Sequence, residues 1–301
     1  MTAATHPLYG QGGNLRRRRR VNRIVEIAST VAAILAVAVL AIVVGSVAVK
    51  GLGAINLDFL TKAGATTNFS ATAAGTGIAN GIVGTAILVG LATLMAVPLG
   101  LLVAIYTHEF APARVGDVVR FALDVLNGVP TIITGIFIYG VLVVGGQQSG
   151  WAGAIALAIV MLPIVARTAQ EVLSLVPEHL REAAYALGVT RWKTVVRVII
   201  PTAAGGLLTG ALLGVARVAG ETAPLLFVCS IFSDTAGGPI QTDPSQALAS
   251  IPVTIFQLSE KPTPIAHTQA WGAALLLILF VLALNVVARA FYARSQRRLK
   301  G

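Results

Sequence analysis

From Ile27 to Val49 the chain carries no charged residue, and an uninterrupted apolar run of that length has few places to go. A helix rises about 1.5 Å per residue, so about 20 mainly apolar residues cross the hydrocarbon core of a bilayer. Five more runs are of the same kind. They are a stretch between Ile78 and Tyr106, Val125 to Val144, a run from Trp151 to its first charge at Arg167, Thr202 to Ser233 with two charges inside it, and Trp271 to Ala288. Backbone groups in lipid must be satisfied within their own segment, so these runs predict six transmembrane helices and an all-α integral membrane fold. Composition agrees: 11% of the residues are charged, where a soluble domain carries about 25%. The first run is too long for a cleaved leader, and no convincing cleavage site precedes Lys50, so it predicts an anchor.

The cations set the orientation. Arg16 to Arg20 and Arg23 precede the first run, Arg114 and Arg120 lie between the second and third, and Arg167, Arg181, Arg191, Lys193 and Arg197 lie between the fourth and fifth. Arg289, Arg294, Arg297, Arg298 and Lys300 follow the sixth. Only Lys50, Lys62 and Lys261 fall on the opposite side, so the populated side, with both termini, is expected to be cytoplasmic. A net charge of +10 therefore reads as topology, and no nucleic-acid partner is expected. One cysteine, Cys229, excludes an internal disulfide, and His6, His108, His179 and His267 are scattered, so no metal or cofactor is predicted. The expected organisation is a basic tail over 1–23, the first helix and an outer loop over 24–77, a five-helix core over 78–292 and a basic tail over 293–301. The last outer loop, 234–268, carries five prolines, and its apolar part from Ala247 to Leu258 is expected to dip into the membrane interface.

The inner loop over 178–201 reads EHLREAAYALGVTRWKTVVRVIIP. Its first half favours helix, Gly188 offers a stop, and Thr190 is placed to cap a second short helix. A basic amphipathic helix-turn-helix of this kind either lies on anionic lipid or docks a cytoplasmic partner. The chain has no GxxxxGK[ST] phosphate loop, so it is not expected to hydrolyse ATP.

Arg217 and Glu221 interrupt the fifth run. An arginine at the centre of a membrane helix costs about 2.5–3.5 kcal/mol on insertion scales, and a carboxylate four residues away on the same face can offset it. At 100° per residue Gly206, Gly210, Gly214, Arg217 and Glu221 share an arc of about 80°. The three glycines form a small-xxx-small stripe that lets another helix approach. Pro224 is expected to leave the Gly220 carbonyl free. The pair is either a structural device that orients the helix or an anion contact, since an arginine fork matches tetrahedral oxyanions. Glu109, Asp117 and Asp124 read as interfacial or capping residues, and Gly77 with Gly81 as packing.

Glu182, Ala183, Ala184, then Gly188, then Val198, Ile200 and Pro201 resemble the EAA loop of ABC-importer permeases, with mild apolar swaps at Val198 and Ile200. Ala216 to Leu226 (ARVAGETAPLL), Val97 to Phe110 (VPLGLLVAIYTHEF), Asn127 to Phe137 (NGVPTIITGIF, where a Ser is usual at Thr131) and Pro252 to Leu258 resemble the phosphate permeases of that family, PstA-type more than PstC-type. The likeness runs from Ile24 to Arg294. It implies a type I ABC-importer permease fold in a bacterial inner membrane, with the first helix wrapped around the other five. It implies transport of phosphate by alternating access, with no catalytic residue in this chain. The implied partners are a related PstC-like permease, two PstB-like ATP-binding subunits, an external PstS-like phosphate-binding protein and membrane lipid. Glu182, Ala183, Ala184, Gly188 and Pro201 would couple to the ATPase, and Arg217, Glu221 and Thr222 would line the path. A permease for sulfate or molybdate, a gradient-driven transporter and a structural scaffold are the competing readings.

Overall fold

The computed structural model describes residues 15–64, 77–230 and 239–300. His6 with the start of the basic tail, residues 65–76 of the first outer loop and the first residues of the last outer loop lie outside the described residues. Those that are described form helices and no strand.

The first of two units, up to Val49, is carried by α1 (Leu15–Gly51), which is unbroken and apolar over more than a bilayer's thickness.

The second unit, from Lys50 on, holds α2 (Leu57–Thr61) and α3 (Ala79–Ile105), which ends in a π turn, Tyr106–Phe110. Next come α4 (Ala113–Gly128), α5 (Thr131–Ile138) with its own π turn Tyr139–Val143, and α6 (Gly150–Ser174). After α7 (Glu178–Ala186), α8 (Arg191–Thr194) runs through a third π turn, Val195–Ile199, into α9 (Ile200–Ala219). The chain ends with α10 (Ala223–Val228), α11 (Ile251–Ser259) and α12 (Pro264–Lys300). Five helical stretches across the two units are long and apolar enough to span a membrane, and the bent pair α4–α5 is the sixth candidate.

α3 and α6 pack along most of their length at the centre of this unit. Small residues make the approach possible: Ala92, Ala96 and Gly100 on α3 meet Leu157, Met161 and Val165 of α6 in one buried cluster. α9 lies against α6 through its glycine stripe. A Cβ at Gly210 would stand 2.6 Å from Thr168 Cγ2, one at Gly206 2.6 Å from Val172 Cγ1, and one at Gly214 3.0 Å from Val165 Cγ2. Gly210→Leu is therefore expected to overpack this seam at a cost of about 1–3 kcal/mol. The check is thermal stability in detergent against Gly90→Leu on α3, whose added Cβ meets nothing within 4 Å. Outward faces carry Leu94, Leu102, Val118, Phe121 and Phe137, all exposed, which suits a lipid or protein neighbour and not water.

Several expectations need correction. The third apolar run is not one helix. Pro130 cannot donate a backbone hydrogen bond and disfavours helix at Val129, so α4 and α5 meet at 93°. The fifth run begins earlier, at Arg191, and breaks at Gly220, so Glu221 stands just beyond the helix, not on its face. Pro224 accordingly opens α10 and leaves no gap inside a helix. In the inner loop Gly188 does turn the chain, at φ +73°. Thr190, however, makes no side-chain cap, and the helix that starts at Arg191 continues unbroken into α9. Ala247 to Leu258 is held by the helix bundle: Leu248, Ile251, Val253 and Leu258 are buried, and α11 packs on α12 and α3.

Candidate functional site

Two breaks in membrane helices meet at one carboxylate. Arg217 lies in the last turn of α9, where the helix dipole favours a cation. Gly220 ends that helix, and Glu221 folds back to ion-pair with Arg217. The Glu221 carboxyl is buried, with 7% of the side chain exposed, while Arg217 is 59% exposed. Thr131, the first residue of α5 beyond the other break, donates its hydroxyl to the second Glu221 oxygen at 3.2 Å. α5 and α10 can come this close because Gly135 has no side chain: a Cβ there would stand 2.6 Å from Pro224 Cα. Glu221 is thus held on both oxygens. The guanidinium spends one edge on it and keeps donors that have no partner among the described residues. Thr222 begins α10 and makes no side-chain cap.

The inner loop is anchored by a second buried pair. Arg181 of α7 donates to Glu109 at 2.9 Å, and both side chains are nearly closed to solvent, at 8% and 4% exposed. The same guanidinium donates to the carbonyls of Val176 (2.9 Å) and Leu173 (3.3 Å) and to Glu178 (3.1 Å). Burial works against the Arg181 charge, but the hydrogen bond and field of Glu109, with Glu178, outweigh it and hold the pKa above the ordinary arginine value. Glu109 sits in the π turn that ends α3, and His108 contacts the same carboxyl oxygen at 3.0 Å. The neighbouring Phe110 ring lies against Trp192, and the Arg191 guanidinium is over it, so α8 rests on the same turn.

Within the loop, Ala184 is buried whereas Glu182, Ala183, Tyr185, Leu187 and Gly188 are exposed. One face of α7 is therefore keyed to the membrane helices and the other stands free. Pro201 opens α9 directly after the π turn Val195–Ile199, inside the continuous helix, so one carbonyl of the preceding turn lacks its usual helical donor. From Arg191 to Ala219 the chain is helical without a break. One continuous helix, about 40 Å long and with a π turn inside it, thus joins the inner loop to Arg217.

Sequence reasoning missed the partners. Glu109 and Arg181 are 72 residues apart, Thr131 and Glu221 90 apart, and a third pair, Arg167 with Asp124 at 3.1 Å, is as distant in kind. Each half was visible, as a charge or hydroxyl beside an apolar run, but nothing in the one-dimensional pattern joins the halves.

Residues 96–301 match the family model of the binding-protein-dependent transport system inner membrane component. The phosphate transport system permease protein PstA of Yersinia pestis is 38% identical over 93% of this chain and 92% of its own length. PstA 1 of Mycobacterium tuberculosis H37Rv is 42% identical over 74% of this chain and 72% of its own. Among solved structures, an inward-facing MetNI methionine ABC transporter covers 72% of this chain and 95% of its own at a TM-score of 0.60. An amino acid ABC transporter covers 72% and 92% at 0.55. At 19% and 20% identity these two speak to the fold alone. The chain is therefore a multi-pass inner-membrane protein and belongs to the family of binding-protein-dependent transport system inner membrane components, on the branch that holds the PstA permeases.

Proposed function

We propose that this chain is a membrane subunit of an ATP-driven importer of inorganic phosphate. The observation that carries the reading is Arg217: a guanidinium at a helix break inside an apolar run, clamped by a buried carboxylate on one edge and open on the other. Arginine binds tetrahedral oxyanions through paired N–H donors. Glu221 supplies the competing anion that keeps such binding reversible. The names of the PstA relatives support phosphate as the ion.

The chemistry is entirely non-covalent, so this chain needs no catalytic group. Energy enters from ATP-binding partner subunits that seat on the exposed face of α7, where Glu182, Ala183 and Gly188 stand, with Ala184 and Pro201 fixing that face to the core. A related permease completes the path, and an external phosphate-binding protein delivers the ion. Movement of the ATPase is transmitted through Arg181 to α3 and through the helix from Arg191 to Arg217, which alternately exposes the site to either side.

The test is uptake of labelled phosphate, with labelled sulfate as control, in cells lacking the chain and in cells with it restored. Loss of phosphate uptake alone, recovered on restoration, is the expected result. Loss of sulfate uptake instead would reassign the ion while leaving the architecture in place. Unchanged uptake of both would overturn the phosphate reading.

A further inference from the structure

Arg167 occupies a position that the Arg217 site does not account for. It ends the apolar run of α6 and pairs with Asp124 of α4 at 3.1 Å, with 34% of the arginine and 54% of the aspartate side chain exposed. Its height relative to Arg217 is set by the α6–α9 seam. Gly206 faces Val172, Gly210 faces Thr168, and Gly214 faces Val165 and Met161, so the two helices run antiparallel in register. Arg167, beside Thr168, therefore lies level with Gly210. That is seven residues before Arg217, or about 10 Å toward the cytoplasmic start of α9. The two partners sit on either side of the α4–α5 bend: Asp124, the partner of Arg167, on α4, and Thr131, the partner of Glu221, on α5. The chain thus sets two arginine–carboxylate pairs one step apart, each with its arginine partly open.

We propose that Arg167 is a second oxyanion-binding station on the cytoplasmic side of Arg217, with Asp124 as the counter-charge that an arriving anion displaces. The proposal rests on the reading of the chain as a phosphate importer subunit. An ion released from Arg217 toward the cytoplasm meets Arg167 next, and each station must be weak enough to let it go. Asp124 gives Arg167 that weakness, as Glu221 does for Arg217.

A purely structural bolt between α4 and α6 explains the geometry less well. Ion pairs this exposed contribute about 0–1 kcal/mol, so the pair adds little to the hold of α4 on α6. The surroundings of Arg167 add a second observation. Its guanidinium also contacts Gln170 at 3.4 Å, and the Gln170 amide donates to Thr107 at 2.7 Å, both residues being buried. Thr107 belongs to the π turn that carries Glu109, the partner of Arg181 on α7. Arg167 is therefore joined through two buried side chains to the turn that anchors the loop, which places the second station where the driving movement arrives.

The experiment restores cells lacking the chain with wild type, Arg167→Gln, Arg167→Lys and the double variant Arg167→Gln/Asp124→Asn. It measures initial rates of labelled phosphate uptake against concentration, normalised to chain in the membrane. Loss of a cation met after entry lowers the maximal rate and not the half-saturating concentration. Arg167→Gln is expected to cut the maximal rate about tenfold or more, with half-saturation changed less than about twofold. Arg167→Lys should recover part of that rate, and the double variant should stay as low as Arg167→Gln. A double variant that transports like wild type would overturn the proposal, because a neutral amide pair would then serve as well as the charged one. So would an Arg167→Gln chain of normal rate. If wild type itself restored no phosphate uptake, the import reading would fall, and the controls keep that failure separate.

Discussion

Replacing Arg217 with Gln is expected to abolish phosphate uptake while the chain still inserts and assembles. The substitution keeps a polar amide, shortens the side chain and removes its charge. A hydrogen bond to a charged group contributes about 1.5–3 kcal/mol. Losing two of them to a bound oxyanion is expected to lower transport by about two orders of magnitude or more. Insertion should survive, since an uncharged residue at this depth is less costly than arginine. Glu221 complicates the reading, because its buried carboxylate loses its counter-charge in the single variant. The double variant Arg217→Gln/Glu221→Gln removes that strain, and Thr131 can still donate to the amide oxygen. Transport lost in both variants, at normal abundance in the membrane, assigns the defect to the missing anion contact. Transport recovered in the double variant would make the pair a structural clamp, and normal uptake by a well-expressed single variant would end the role assigned to Arg217.

Much of this arrangement was legible in the sequence because membrane helices announce themselves. The charge-free run of α1, the cation bias and the glycine stripe of α9 reflect hydrophobicity and size, which are local properties. The pairing of Arg217 with Glu221 was also within reach, because four residues separate them whether the helix continues or stops at Gly220. The breaks themselves were harder. Pro130 was in view inside the third run, yet hydropathy does not fall there, and a summed window reads through a bend. At Gly220 the run stays apolar for several residues beyond the true helix end, so length alone misplaced Glu221 on the helix face.

The long-range pairs were out of reach for a different reason. Glu109 looked like an interfacial residue, since a glutamate near a helix end is ordinarily solvated. Only the fold shows that α7 covers it and that Arg181 arrives through the gap. Thr131 carried even less signal: a threonine in an apolar run is unremarkable until the neighbouring break turns its hydroxyl toward Glu221. These contacts hold one element to another, and they come into being with the packing of α3, α6 and α9.

Arg181 offers the second large effect, one that separates transmission from binding. Arg181→Ala leaves Glu109 buried without its main counter-charge, a situation that costs about 3–5 kcal/mol. It also leaves the carbonyls of Leu173 and Val176 without their donor. Less folded chain is therefore expected, and α7 in the surviving molecules is no longer pinned to α3. The double variant Arg181→Met/Glu109→Leu isolates the second consequence, since replacing both charges with apolar groups of similar bulk can restore stability. Abundance and assembly should recover in that variant, but the hydrogen bonds that fix the angle of α7 remain absent. The measurement is phosphate imported per ATP hydrolysed by the assembled transporter in vesicles, with the external binding protein supplied. A fall of about tenfold in that ratio, with hydrolysis retained, is expected if α7 transmits force through this anchor. A stable double variant with an unchanged ratio would mean that the movement travels through the continuous helix from Arg191 to Arg217 alone, and that the buried pair serves only to fold the loop.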